Sequence, residues 1–182
     1  MEYFDILNDK GESTGKVKSR DDVHRDGDWH RTVHCWLLNK KGELLLQLRG
    51  PNQESNPNKW DISCAGHISA GEDQWGGVIR ECEEELGVSF APERFKHLVT
   101  CRGEFFDSGL VDREFSEVFI VEWDEKDGVF SLCSKEVSDV KWMPWRELKT
   151  KIEISSDEFV EHDEEYLCLF DYLEEHVEKL SS

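Results

Sequence analysis

Between Trp75 and Leu86 the apolar residues fall at Trp75, Val78, Ile79, Cys82 and Leu86. Gaps of three and four place them on one face of a helix. Gly87 follows as the expected stop, because glycine accepts the left-handed backbone that ends a helix. Elsewhere the apolar positions form short runs or alternate, which predicts strands. Tyr3–Leu7 is one, followed by a turn at residues 8–11 and a second extended piece through Val17. Residues 20–30 are polar and read as irregular or briefly helical. Residues 32–38 and Glu43–Arg49 predict a hairpin around Asn39-Lys40-Lys41-Gly42. Residues 50–59 read as a loop, and residues 60–63 re-enter the sheet. After the helix, residues 95–102 predict a strand, 103–109 a loop, and 114–123 and 137–143 two further strands. Pro144 is expected at the first turn of a short helix. A last helix is expected over residues 157–180.

Strands dominate, with helices spaced among them, so a mixed sheet between helical layers is expected. The chain has 182 residues, enough for one domain with a sizeable core. No stretch suits a signal peptide or a membrane span, and a cytoplasmic location is expected. Six cysteines lack any CxxC pair, and several lie in apolar runs. They read as reduced buried thiols. The net charge of −19 makes nucleic acid and anionic membrane poor partners. A small phosphorylated substrate would need a cation to approach such a surface.

The helix carries its chemistry on another face. Glu81, Glu84 and Glu85 stand at i, i+3 and i+4, so their carboxylates crowd together. A hard divalent cation relieves that repulsion with oxygen ligands. Gly66 and Gly71 bracket a loop that can bring backbone oxygens near such an ion. Arg80 and Glu72 are the expected ion pair tying loop to helix.

Gly66, Glu72, Arg80-Glu81-Cys82 and Glu84-Glu85-Leu86-Gly87-Val88 resemble the Nudix box, G-x5-E-x7-R-E-U-x-E-E-x-G-U. Every charged and glycine position is filled; Cys82 stands at the first apolar slot. The resemblance implies the Nudix fold, an α/β/α sandwich around a mixed β-sheet. It further implies one domain over 1–182, divided into an N-terminal hairpin (1–31), a Nudix core (32–145) and a C-terminal helical segment (146–182). The implied activity is that of a pyrophosphatase: hydrolysis of a diphosphate linkage in a nucleoside diphosphate-X or other small organic diphosphate. Mg2+ or Mn2+ would be held by Glu81, Glu84, Glu85 and the Gly66 carbonyl. Glu84 is the first choice of general base, with Glu114 and Glu117 as candidates outside the box. Arg49 is a candidate phosphate contact or a surface ion pair. Trp29, Phe105 and Phe106 could stack a base or cover an isoprenoid, or simply pack.

Residues 24–31, Leu44-Leu45-Leu46-Gln47-Leu48-Arg49, Pro57-Asn58-Lys59-Trp60-Asp61 and Gly66-His67 extend the resemblance to the type I isopentenyl diphosphate isomerases. Those enzymes carry a catalytic cysteine in W-T-N-x-x-C-x-H. Here that slot is Ala65, and Cys64 is one residue early, which in a strand means the opposite face. Hydrolysis is therefore favoured over isomerisation, and a catalytically inactive Nudix binding module is a further alternative. The isomerase metal site would map onto His24, His30, His67 and Glu114. Oligomeric state is open, a homodimer included.

Overall fold

The computed structural model describes residues 2–53, 55–107, 110–154 and 156–177. Side chains 106–110, 156, 163 and 177 are outside the description. Its strands are β1 (Tyr3–Leu7), β2 (Ser13–Ser19), β3 (Trp29–Asn39), β4 (Glu43–Arg49), β5 (Trp60–Asp61), β6 (Cys64–His67), β7 (Phe95–Asp107), β8 (Leu110–Trp123) and β9 (Val137–Pro144). The helices are α1 (Arg20–Asp26), α2 (Gln74–Leu86), α3 (Trp145–Ile154) and α4 (Asp163–Val177).

Strand β3 is the hub. It runs parallel to β8 from Trp29↔Arg113 to Asn39↔Trp123 and antiparallel to β6 from Thr32↔His67 to Cys35↔Cys64. β7 closes on β8, while β4 carries β5 and β9. The alternation of side chains along β3 divides the core in two. Val33, Cys35 and Leu37 pack with Cys64, Val78, Cys82 and Leu86 under α2. Trp36 and Leu38 pack with Leu148 of α3 and Tyr166, Leu169 and Leu173 of α4. Helices on both faces of a mixed sheet give the expected α/β/α sandwich.

Helix α2 begins and ends where local chemistry dictates. The Asp73 side chain accepts a hydrogen bond from the Gly76 N–H at 2.8 Å, satisfying one orphan donor of the first turn. Gly87 takes φ 69°, and a Cβ there would stand 2.7 Å from Ser131 Cβ. Glycine is required on both counts.

Several boundaries differ from the sequence expectation. Residues 103–107 are strand, not loop, because β7 pairs with β8 through Gly103↔Glu114 and Phe105↔Asp112. Cross-strand pairing overrides the local glycine signal; Ser108 and Gly109 are outside the described residues. The polar stretch 20–30 splits into α1, capped by Ser19, and the start of β3. Pro144 is the last residue of β9, and α3 starts one residue later. The last helix starts at Asp163, not 157. Residues 159 and 160 are drawn to the sheet, where Phe159 bridges Trp60 and Val160 donates to the Trp60 carbonyl at 2.9 Å. Residues 178–180 of that expected helix are outside the description. All six cysteines are free thiols. Among the described residues no helix is long and apolar enough to cross a membrane.

Candidate active site and metal centres

Gly66 on β6 faces helix α2. A Cβ at Gly66 would lie 2.1 Å from the Glu81 carboxyl carbon, so the Glu81 carboxylate fills the space a side chain would occupy. The glycine at the head of the motif is thus explained by the glutamate fifteen residues on. Arg80 ties the two elements. Its guanidinium donates to Glu72 at 3.0 and 3.2 Å, to Glu81 at 2.6 Å, to Glu84 at 3.2 Å and to the His67 carbonyl at 2.7 Å. The expected Arg80–Glu72 pair is present, and Arg80 also reaches the strand.

Glu81 and Glu85 are buried, whereas Glu84 has a mostly exposed side chain. Burial lifts Glu81 to about 7; the Arg80 charge opposes this and Glu84 adds to it. Burial, then the charge of Glu81, pushes Glu85 well above the usual carboxylate range. Glu85 Oε2 accepts hydrogen bonds from the Ala65 N–H and from Gln47 Nε2, both at 3.1 Å. Two buried carboxylates with suppressed ionisation, of which Arg80 contacts Glu81, fit the demand for a hard divalent ion.

Removing Arg80 should be costly. Arg80→Ala leaves Glu72 and Glu81 without their counter-charge in a partly buried setting. Arg80 is 29% exposed, so the loss is discounted from the buried-pair range to roughly 2 kcal/mol. Urea unfolding of both proteins without added metal measures it; equal midpoints would show that Arg80 is dispensable.

Glu114 lies on the other face of the sheet. It pairs with His30 across β3 and β8, and His67 pairs with Thr32, so these side chains share the face away from α2. His24 and Asp112 join them. The Asp112 Oδ1 atom is 3.8 Å from His24 Nε2 and 3.5 Å from His30 Nε2; Glu114 Oε1 is 3.8 Å from His30 Nε2 and 3.7 Å from His67 Nε2. Among the described residues, the Nε2 atoms of all three histidines and Asp112 Oδ1 are buried without a hydrogen-bond partner. Burial holds His30 below its usual value and His67 well below. Burial, then Asp112, raises Glu114 to about 8. Imidazoles with orphaned nitrogens beside two carboxylates form a donor set for a divalent ion. The sequence reading misses Asp112. Its signal is present in the order of residues, since a residue two before Glu114 in a strand shares its face.

The structure thus separates residues that the sequence left together. Glu81, Glu84, Glu85, Gly66, Arg80 and Glu72 gather at α2. Glu114, His24, His30 and His67 gather on the opposite face. Glu117, not Glu114, shares the α2 face; it accepts from His97 at 2.8 Å and from Thr100 at 2.7 Å. Arg49 pairs with buried Asp61 at 2.9 Å and donates to the Ser55 carbonyl. Cys64 points into the α2 core, 3.3 Å from Cys82, while Ala65 packs toward the α3 and α4 core. Trp29 is buried with Arg102 over its ring, Phe105 is exposed, and the Phe106 side chain is outside the description.

A family model described as the NUDIX domain matches residues 28–163. Nudix hydrolase 3 of Arabidopsis thaliana is 40% identical over 179 residues, covering 94% of this chain and 23% of that protein. An uncharacterized Nudix hydrolase of Clostridium acetobutylicum is 38% identical over 122 residues, 65% of this chain and 58% of that one. The chain therefore spans less than two thirds of either relative. At lower identity, the isopentenyl-diphosphate Delta-isomerase of Escherichia coli K12 is 30% identical over 146 residues, 78% of this chain and 76% of the enzyme. The crystal structure of DR0079 from Deinococcus radiodurans has a TM-score of 0.70 at 24% identity, covering 94% of this chain and 99% of that one, and shares the fold.

Proposed function

The chain belongs to the Nudix family, in the branch that resembles the isopentenyl diphosphate isomerases, and from that premise we propose that it is a Mg2+- or Mn2+-dependent hydrolase of a small organic diphosphate, such as a nucleoside diphosphate-X. The observation that carries this proposal is the Glu81 carboxylate seated against Gly66, with Glu85 buried one helical turn on.

In this scheme Glu81, Glu84, Glu85 and the Gly66 carbonyl hold the ion. A bound divalent cation supplies charge neutralisation on the diphosphate and a lowered pKa for a coordinated water. Glu84, the exposed carboxylate of the three, takes the water proton as general base. Glu117 is the outside alternative, because it shares the α2 face. Arg80 holds Glu72, Glu81 and Glu84 in register with β6. The histidine cluster with Asp112 and Glu114 holds a second ion on the far face. A complete set of box acids and an alanine in the cysteine slot favour hydrolysis over isomerisation.

The test is a magnesium-dependent screen over nucleoside diphosphate sugars, dinucleotide polyphosphates, nucleoside triphosphates and isoprenoid diphosphates. Phosphate-bond cleavage that stops with chelator is expected. Conversion of isopentenyl diphosphate to dimethylallyl diphosphate without hydrolysis would overturn the proposal. So would tight ligand binding with no turnover on any substrate.

A pH signature follows from Glu81. Its folded pKa of about 7 lies above the ordinary 4.5. Its contribution to the metal-free protein is therefore full below about pH 4.5 and lost as pH rises through 7. Glu85 acts in the same direction. Metal binding demands the ionised forms, so the rise in Tm on adding Mg2+ should grow between pH 5.5 and pH 8. A constant or shrinking rise would place the ion elsewhere.

A further inference from the structure

A third group of metal-type donors lies where α4 meets the sheet, apart from both sites above. His34 comes from β3, Glu165 from the first turn of α4, and His162 from the residue just before that helix. Glu165 Oε2 stands 2.6 Å from His34 Nδ1 and 3.8 Å from His162 Nδ1. One possible ligand atom from each of the three residues lies within 4.8 Å of the other two. His34 and Glu165 are buried, and the His162 side chain is only 11% exposed.

The surroundings have the organisation of an ion's outer shell. His162 uses its other ring nitrogen, Nε2, to meet Asp61 Oδ1 at 2.8 Å, and Asp61 is in turn held by Arg49 at 2.9 Å. Glu165 uses its other oxygen, Oε1, to accept from Trp36 Nε1 at 2.6 Å. A carboxylate behind a ligating imidazole, and a donor behind a ligating carboxylate, are how metal ligands are oriented. Here each such partner occupies the atom that an ion would not use.

Simple ion pairing explains the group less completely. His34 and Glu165 satisfy each other, but the 3.8 Å between His162 Nδ1 and Glu165 Oε2 exceeds a hydrogen bond. Ligands on a tetrahedral zinc sit about 3.3 Å apart, given bonds of about 2.0–2.1 Å. The 2.6 Å gap would open by about 0.7 Å, and the 3.8 Å gap close by about 0.5 Å, to reach that spacing. Two imidazoles and one carboxylate are also the donor types of zinc-class ions.

We propose that His34, His162 and Glu165 form a binding site for a zinc-class divalent ion that pins α4 to β3. The bound ion replaces the proton shared by His34 and Glu165, and that proton leaves to solvent. No electrons move.

Wild-type crystals grown with Zn2+ and measured across the zinc absorption edge test this directly. The expected result is an anomalous peak bonded to His34 Nδ1, His162 Nδ1 and Glu165 Oε2. An ordered, hydrogen-bonded His34–Glu165 pair with no peak between them and His162 would overturn it. In solution, Co2+ titration followed by visible absorption should give one fewer tight site in His162→Asn than in wild type, or a site at least tenfold weaker. His67→Asn and Glu84→Gln should retain that site. Equal stoichiometry and affinity in His162→Asn and wild type would also overturn the proposal. The crystal result decides if the variant does not fold.

Discussion

Glu84→Gln and Glu85→Gln should each lower metal-dependent turnover by about 10²- to 10³-fold, the scale seen when a charge-stabilising or proton-accepting group is removed from a site. The two should differ in stability. Glu85 is buried and its ionisation is suppressed by burial and by Glu81. The neutral, isosteric glutamine therefore removes an unfavourable charge, and the metal-free Glu85→Gln protein should unfold at equal or higher urea concentration than wild type. Glu84 is mostly exposed, and its contact with Arg80 at 3.2 Å is a surface pair. Glu84→Gln should therefore change stability by less than about 1 kcal/mol. Steady-state rates at saturating Mg2+, with urea midpoints on the same preparations, separate loss of chemistry from loss of fold. Unchanged turnover in both variants would remove the α2 carboxylates from the mechanism.

The second large effect is expected at a glycine. Gly66→Ala would set a methyl group 2.1 Å from the Glu81 carboxyl carbon and 2.1 Å from its Oε1. No van der Waals contact survives at that distance, so the carboxylate or β6 must move. Overpacking of this kind costs about 1–3 kcal/mol. If Glu81 and the Gly66 carbonyl are ligands, Mn2+ affinity should also fall roughly 10- to 100-fold, as when ligand orientation is lost. Gly71→Ala is the control. Gly71 has φ 79°, and a methyl group added there would meet nothing within 4 Å, so alanine is strained without reaching Glu81. It should lose about 1 kcal/mol of stability while Mn2+ affinity by calorimetry stays near wild type. Equal affinity in Gly66→Ala and wild type would show that Glu81 does not hold the ion.

Much of the α2 side of the molecule was legible from residue order alone. The 3.6-residue period of Trp75, Val78, Ile79, Cys82 and Leu86 and the Gly87 stop are local features, and they predicted the helix; the Asp73 cap emerged only in the structure. The Arg80–Glu72 pair spans eight positions and was equally readable. The strands from β1 through β4 followed from alternation and turn residues. The misplaced ends have a common cause. Residues 159–160 take their conformation from Trp60, far along the chain, and residues 103–107 from the neighbouring strand β8 across a hairpin. Such pairing leaves no periodic trace in its own segment.

What the amino-acid order determined by itself was which carboxylates share a helix face, because a helix fixes the geometry of residues three and four apart. What only the tertiary structure decided was which carboxylates face which side of the sheet, and how deeply each is buried. Glu114 and Glu117 differ by three positions in one strand, yet one meets the histidine cluster and the other meets His97 on the α2 face. His34 and Glu165 are 131 positions apart and touch at 2.6 Å. Side-chain direction in a strand can be counted, but the element that will cover that direction is set only when distant segments pack, since burial and charge compensation belong to the assembled core.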